Sequence, residues 1–152
     1  MIPAVHTLAI PAMSDEAIEV ARRLEANLLA LPQEDIATSH VFHGGMYART
    51  IRIPAGVVAT GVLIKIPTLF IISGHATVFI GGETVELAGR HVIPASAVRK
   101  QAVLAHTDTA VTMVFATSAT TVEEAEAEFT DEVHLLFSRN SDAQNSIVVT
   151  GE

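Results

Sequence analysis

Between His40 and Phe115 the chain is cut into short apolar stretches by glycine and proline, and no helical period runs between the cuts. The punctuation is Pro54-Ala55-Gly56, Gly61, Pro67, Ser73-Gly74, Gly81-Gly82, Gly89 and Pro94. Both residue types interrupt helices and set turns, so the spacing leaves strands as the elements able to form. Tyr47, Arg49, Ile51 and Ile53 alternate with Ala48, Thr50 and Arg52, the period-two pattern of a strand with one buried face. Further strands are predicted over 62–66, 69–72, 76–80, 84–87, 91–93, 102–104 and 110–115. Ile80-Gly81-Gly82-Glu83 signals a hairpin, since paired glycines satisfy the positive φ values of a tight turn. Many short strands without intervening helices favour a mainly β, antiparallel jelly-roll barrel over a parallel sheet.

A helix is expected on each flank. Ser14-Asp15-Glu16 supplies an N-cap and first-turn carboxylates, and Ala17, Ala21, Leu24, Leu28 and Leu31 form an apolar stripe that Pro32 ends. Thr121-Val122-Glu123-Glu124 matches a capping box. Val122, Ala125, Phe129, Val133 and Leu136 continue one face of that second helix, and Glu123, Glu124, Glu126, Glu128, Asp131 and Glu132 are read as its solvated side. The expected organisation is one structural domain: an N-terminal segment and helix over 1–37, a barrel over 38–118, an acidic helix over 119–138 and a mobile tail over 139–152. Within the tail, Ile147-Val148-Val149 is able to dock as an edge strand.

Composition narrows the function classes. Seventeen acidic against nine basic residues give a net charge of −8, which repels phosphate backbones, and with no tryptophan the stacking platforms are few, so no nucleic-acid partner is expected. No apolar run approaches the roughly 20 residues of a membrane span, so no membrane association is expected. Met1 to His6 has no basic region ahead of an apolar one, which argues against a secretory leader. The absence of cysteine removes disulfides and thiolate ligands and fits a cytoplasmic location.

The order Pro54-Ala55-Gly56, Gly61, Ser73-Gly74, Gly81-Gly82, Gly89 and Pro94 resembles the cupin superfamily. A narrower resemblance, covering about two-thirds of the chain, is to a small family of phage-encoded cupin-like proteins of unknown function. It is carried by Leu29-Ala30-Leu31-Pro32, His40-x-Phe42-x-x-Gly45-x-Tyr47-x-Arg49, Ile53-Pro54-Ala55-Gly56, Gly61, Ser73-Gly74, Pro94, Arg99 and Asp108-Thr109. The resemblance implies a barrel with metal-binding histidines at the places held here by Ile64 and Ile66, often another at Phe115, and a last one at Arg99. A catalytic metal needs about three converging nitrogen or oxygen donors, so an apolar wall with an arginine predicts neither metal nor cofactor. It also implies a location in the cytoplasm of an infected or lysogenic bacterial host.

Arg49 and Arg99 become the main candidates, because a guanidinium is rarely buried alone and binds carboxylate or phosphate through a planar fork. With Tyr47, His40, Ile64 and Ile66 they would make a cationic, hydrogen-bonding end to an apolar pocket suited to a small anion. The alternative is an internal salt bridge, for instance to Asp108 or Glu86. Of the seven histidines, His40-x-x-His43 has tolerable ligand spacing but no identifiable companions, His75 should point outward, and His91 should lie on a rim; His6, His106 and His134 complete the set. There is no cysteine, no Gly-x-Ser-x-Gly and no phosphate-binding strand-to-helix loop. His40, Tyr47, His106 and Asp108 are the candidates for general acid–base work.

Three functions fit: a metal-independent, non-catalytic phage protein that binds a small anionic ligand or host component, such as a signalling metabolite; a metal-free isomerase or epimerase, or an enzyme with a divergent metal site; and a virion decoration or assembly protein. A homo-oligomer, in the simplest case a dimer, is expected through the Leu24, Leu28 and Leu31 stripe and the strand face carrying Thr77 and Phe79.

Overall fold

A computed structural model describes residues 8–80, 82–140 and 143–151. The expectations placed on His6, on Gly81 and on residues 141, 142 and 152 of the tail lie outside the described residues.

The first helix, α1 (Asp15–Leu29), begins where the sequence places it, with the Ser14 hydroxyl accepting from the Ala17 N–H. Ala17 and Ala21 are buried, whereas Leu24, Leu29 and Leu31 are exposed, so the stripe meets the domain over its first half. Polar contacts hold the rest: Arg22 to Glu132 at 2.8 Å and Glu25 to Lys100 at 2.9 Å.

The strands are β1 (Ala37–His43), β2 (Met46–Ile53), β3 (Val58–Thr60), β4 (Thr68–Ile80), β5 (Glu83–Ala95), β6 (Ala102–Ala105), β7 (Thr109–Ala116) and β8 (Asn145–Val149). They form one curled, mainly antiparallel sheet in the order β3-β6-β4-β7-β2-β1-β8, with β5 on the other side of β4 and β8 parallel to β1. The fold is therefore mainly β, a curled half-barrel with one helix near each end of the chain.

β4 carries the curl. Its first half, Leu69–Ser73, pairs with β7, its second half, Ala76–Val78, pairs with β6, and β5 follows it throughout. At the changeover Gly74 lies opposite Gly89, with φ of 141° and 87°. A Cβ on Gly74 would fall 2.6 Å from Thr109 Oγ1, so this crossing of two arms requires glycine. The expected turns at Ser73-Gly74 and Gly89 are thus facing bends, and four expected short strands are two strands of 13 residues each. The hairpin between them closes with Ile80 opposite Glu83, as its sequence requires.

Further expectations are corrected. Residues 62–66 form no strand; Ile64 makes one isolated bridge to Arg99, while the Leu63 N–H donates to Glu132 and the Lys65 N–H to the Phe129 carbonyl. The segment's hydrogen bonds go to the chain after the second helix instead of to a neighbouring strand. That helix, α2 (Val122–Phe129), starts at the Thr121 cap but ends well before residue 138, giving way to single 3-10 turns at Val133–Leu135 and Phe137–Arg139. Of its supposed solvated side, Glu126 is fully buried and Glu132 is tied to α1. The tail contains β8, whose Ile147, Val148 and Val149 dock on β1 as the edge strand their sequence allows, so residues 145–149 are not part of a mobile tail.

The core divides in two. One cluster, including Ile53, Phe70, Ile72, Val78 and Ile93, fills the curl; the other, including Phe42, Tyr47, Phe115, Phe129 and Leu136, lies where α2 closes over it.

Candidate functional site

A cavity of about 120 Å³ opens inside the curl, between β2, β6 and β7, under Phe129 and residues 135–137. Its walls are apolar, with Ile51, Ile53, Ile64, Phe70, Val111 and Met113 prominent, and its polar lining includes Arg49, Arg99 and Gln101.

Arg99 is 1% exposed. Its Nη2 donates to Thr68 Oγ1 at 2.6 Å, its Nη1 to the carbonyls of Ser96 at 2.7 Å and Ile66 at 3.3 Å, and its Nε to Gln101 Oε1 at 3.3 Å. All four acceptors are neutral. Burial lowers the pKa of Arg99 to about 10, so the guanidinium is charged at neutral pH. Gln101, two residues on and facing the same way, has its Nε2 buried with no acceptor among the described residues. The reverse amide orientation would set its N–H groups against the Arg99 Nε–H, so the network fixes this one. The backbone leading in is strained: Val98 has φ 63°, an outlying conformation for a β-branched residue. It is held by Val98 N–H to the Ile64 carbonyl and Met13 N–H to the Val98 carbonyl, each 2.8 Å.

Arg49 shares the cavity but is neutralised. Its Nη1 donates to Glu126 Oε2 at 2.8 Å and its Nη2 to Ser138 Oγ at 3.1 Å. Glu126 also accepts from Arg139 Nε at 2.6 Å and from the Ser138 hydroxyl. Burial by itself would raise the Glu126 pKa, but the bonds from Ser138, Arg139 and Arg49 outweigh it and hold the carboxyl below its ordinary value.

Behind Arg49 lies a polar ring, buried at Tyr47 and His40 and exposed at Asn145. The Tyr47 hydroxyl donates to His40 Nδ1 at 2.6 Å, and His40 Nε2 donates to Asn145 Oδ1 at 2.7 Å, the tautomer both partners require. The His40–Asn145 bond ties β1 to β8; Asn145 also donates to the Ser138 carbonyl at 3.1 Å, and Arg49 closes the ring by donating to Ser138 Oγ at 3.1 Å and to the Tyr47 hydroxyl at 3.5 Å. Burial holds His40 below its ordinary pKa and Tyr47 above its own, so both are neutral at pH 7.

The structure therefore brings Arg49, Arg99 and Ile64 to one cavity and leaves three expected residues outside its lining. Tyr47 and His40 are fully buried in the ring, and Ile66 contributes its carbonyl to Arg99 while its side chain packs with the second core cluster. The salt-bridge alternative named the wrong acids: Asp108 accepts from the Ala55 N–H, and Glu86 faces His75. The four acid–base candidates separate into two places, since His106 bonds to Thr77 on the outer face. His43 meets Thr150, and His91 meets the Ala88 carbonyl at the surface.

Three participants were not anticipated from the sequence: Gln101, Glu126 and Lys100. Glu126 falls four residues after Val122 and three before Phe129, on the apolar stripe itself, and that phase was a usable signal. Gln101 follows Arg99 by two residues, immediately ahead of β6, and both line the cavity. Lys100, fully buried, donates to Glu25 and to the Gly61 carbonyl at 2.9 and 2.8 Å.

No family model and no curated protein matches the chain. Solved structures share part of the architecture. The Cnp3 cupin domain of Schizosaccharomyces pombe aligns at TM-score 0.45 and 16% identity, over 69% of this chain and 80% of that one. The Cupin_2 domain of an XRE family transcriptional regulator from Enterobacter cloacae aligns at 0.44 and 11%, over 53% and 96%. Salicylate 1,2-dioxygenase from Pseudaminobacter salicylatoxidans aligns at 0.47 and 18%, over 76% of this chain but 35% of the dioxygenase. The likeness is to cupin domains. At these scores it says nothing about chemistry, and the functional reading rests on the residues themselves.

Proposed function

We propose that the protein binds a small organic monoanion, a carboxylate on a compact apolar body, in the cavity beside Arg99 and Gln101, without a metal and without catalysing a reaction. One observation carries this reading: among the described residues, Arg99 is a buried cation whose hydrogen-bond acceptors are all neutral, next to a buried amide donor with no acceptor. An unpaired charge and an orphaned donor each cost stability, and a carboxylate in the cavity would answer both. Glu126 is shared between Arg49 and Arg139, so of the two cavity arginines Arg99 is the one without an acidic partner among the described residues, which favours a ligand presenting one carboxylate. The volume of about 120 Å³ lies below the roughly 150 Å³ of an engineered cavity that accepts benzene, so the apolar body is a short branched chain, smaller than a benzene ring.

In keeping with the resemblance to phage-encoded proteins, the corresponding role is sequestration of a host metabolite by a cytoplasmic dimer. The exposed Leu24, Leu29 and Leu31 offer an apolar patch for self-association. An isomerase reading draws no support from the cavity, where no histidine lies among the described lining residues.

Native mass spectrometry of freshly purified protein, with calorimetric titration of benzoate, 3-methylbutanoate and inorganic phosphate, tests the binding. The expected result is a retained small acid, or binding of at least one carboxylate and not of phosphate. No retained molecule, together with no carboxylate binding tighter than phosphate, would refute the reading.

A further inference from the structure

On the convex side of the sheet, away from the cavity, His75, Glu86 and His106 converge from three adjacent strands or their ends. His75 and Thr77 alternate along β4 with Ala76 and Val78, both fully buried, so the histidine and threonine stand on the outer face. Thr77 lies opposite Glu86 on β5, and His106, immediately after β6, donates its backbone N–H to the His75 carbonyl at 2.8 Å. The pairing thus sets the two imidazoles side by side, ring centroids 4.8 Å apart, with the carboxylate beside them. Glu86 Oε1 is 2.8 Å from His75 Nε2 and 3.9 Å from His106 Nε2, and one donor atom from each residue lies within 4.8 Å of the other two.

The geometry points to a binding site for a divalent transition metal of the zinc type, held by His75 Nε2, His106 Nε2 and the Glu86 carboxylate. Two imidazoles and a carboxylate are the donor set of an open zinc site, which keeps its remaining position for water or another ligand. Donors around a tetrahedral zinc with bonds of about 2.0–2.1 Å are about 3.3 Å apart, so the present separations need only side-chain adjustment. The backbone is already fixed, because β4 is paired on both sides and the His75 N–H donates to Thr107 Oγ1 at 3.0 Å. A surface ion pair offers a weaker account of the cluster, since one exposed carboxylate shared between two histidines contributes little stability. The half-exposed donors leave the open position facing solvent. The site is independent of the proposed anion cavity, so either can fail while the other stands.

The test is titration of untagged full-length protein with Zn²⁺ against a chromophoric chelator, alongside the visible absorption of the Co²⁺ form. One metal per chain is expected, with affinity at least about tenfold weaker in His75→Ala and in His106→Ala, weakened in Glu86→Gln, and unchanged in Arg99→Ala. The Co²⁺ spectrum of the unaltered protein should show ligand-field bands that Glu86→Gln shifts, a readout that does not depend on the stability of the histidine variants. Absence of stoichiometric binding, or binding that survives both histidine substitutions, would overturn the assignment, as would loss of metal on His43→Ala alone.

Discussion

Arg49 Nη1 donates to Glu126 Oε2 at 2.8 Å with both side chains sealed, one 7% and the other 0% exposed. The two partners are not equivalent: removing Glu126 strands the Arg49 charge, whereas removing Arg49 leaves Glu126 bonded to Arg139 and Ser138. Glu126→Ala is expected to lower unfolding free energy by about 3–5 kcal/mol, Arg49→Met by less because Arg139 and Ser138 still bond Glu126, and the double variant Arg49→Met/Glu126→Leu by less than Glu126→Ala. Urea unfolding of the three proteins measures this. A Glu126→Ala protein within about 1 kcal/mol of the parent would show that the pair contributes little.

Arg99 should behave in the opposite way. It has no carboxylate partner among the described residues, so Arg99→Met trades the loss of its hydrogen bonds against removal of a buried charge. The expected stability change is smaller than that of Arg49→Met, while carboxylate binding is abolished. Arg99→Lys keeps the charge but loses the planar fork and should weaken binding at least tenfold, and Gln101→Leu should weaken it without unfolding the protein. Calorimetry paired with thermal unfolding separates the two arginines. Equal stability losses at both would make Arg99 structural.

The alternation from Tyr47 to Ile53 made β2 legible, and with it the inward direction of Arg49; the serine and threonine caps likewise marked both helix starts. What misled was glycine. Gly74 and Gly89 read as turns because a single chain does not reveal that they face each other in a ladder, where they bend two strands without ending them. Glu126 was misassigned for a related reason: composition made it one of an acidic run, and only its helical phase set it apart. The Arg99 environment depended on contacts with Thr68, Ser96 and Ile66, which no local pattern encodes.

Three buried or half-buried groups make the protein acid-sensitive. His40 is held below its ordinary pKa of 6.5, with burial as the main cause. Glu126 and Glu132 are held below 4.5, because bonds from Ser138, Arg139 and Arg49 to the first, and from Arg22 and Leu63 to the second, outweigh burial. In each case the unfolded chain binds protons more readily than the folded one, so stability falls as pH falls. The His40 contribution is fully present above about pH 6.5 and is lost as pH drops through its lowered value; the glutamates follow below about pH 4.5. Thermal unfolding between pH 8 and 4 should show a declining midpoint, with His40→Gln removing the earlier part. A midpoint constant down to pH 4.5 would contradict the account of His40.

Val98 supplies the last test, because it separates backbone strain from side-chain packing. Its φ of 63° places a β-branched residue in the left-handed region, where L-residues other than glycine and asparagine are disfavoured by about 1–2 kcal/mol. Its side chain is exposed, so little packing is lost on replacement. The strain persists because the Val98 N–H and carbonyl are fixed to Ile64 and Met13, and it sets the direction from which Arg99 enters the cavity. Val98→Asn keeps both backbone bonds and tolerates the conformation. It should stabilise the protein by about 1 kcal/mol and leave carboxylate binding unchanged. Val98→Pro deletes the N–H and forces φ near −65°, so it should destabilise by about 3 kcal/mol or more and release the ligand with the altered arginine. An asparagine variant less stable than the parent would mean that the valine conformation carries no strain to relieve.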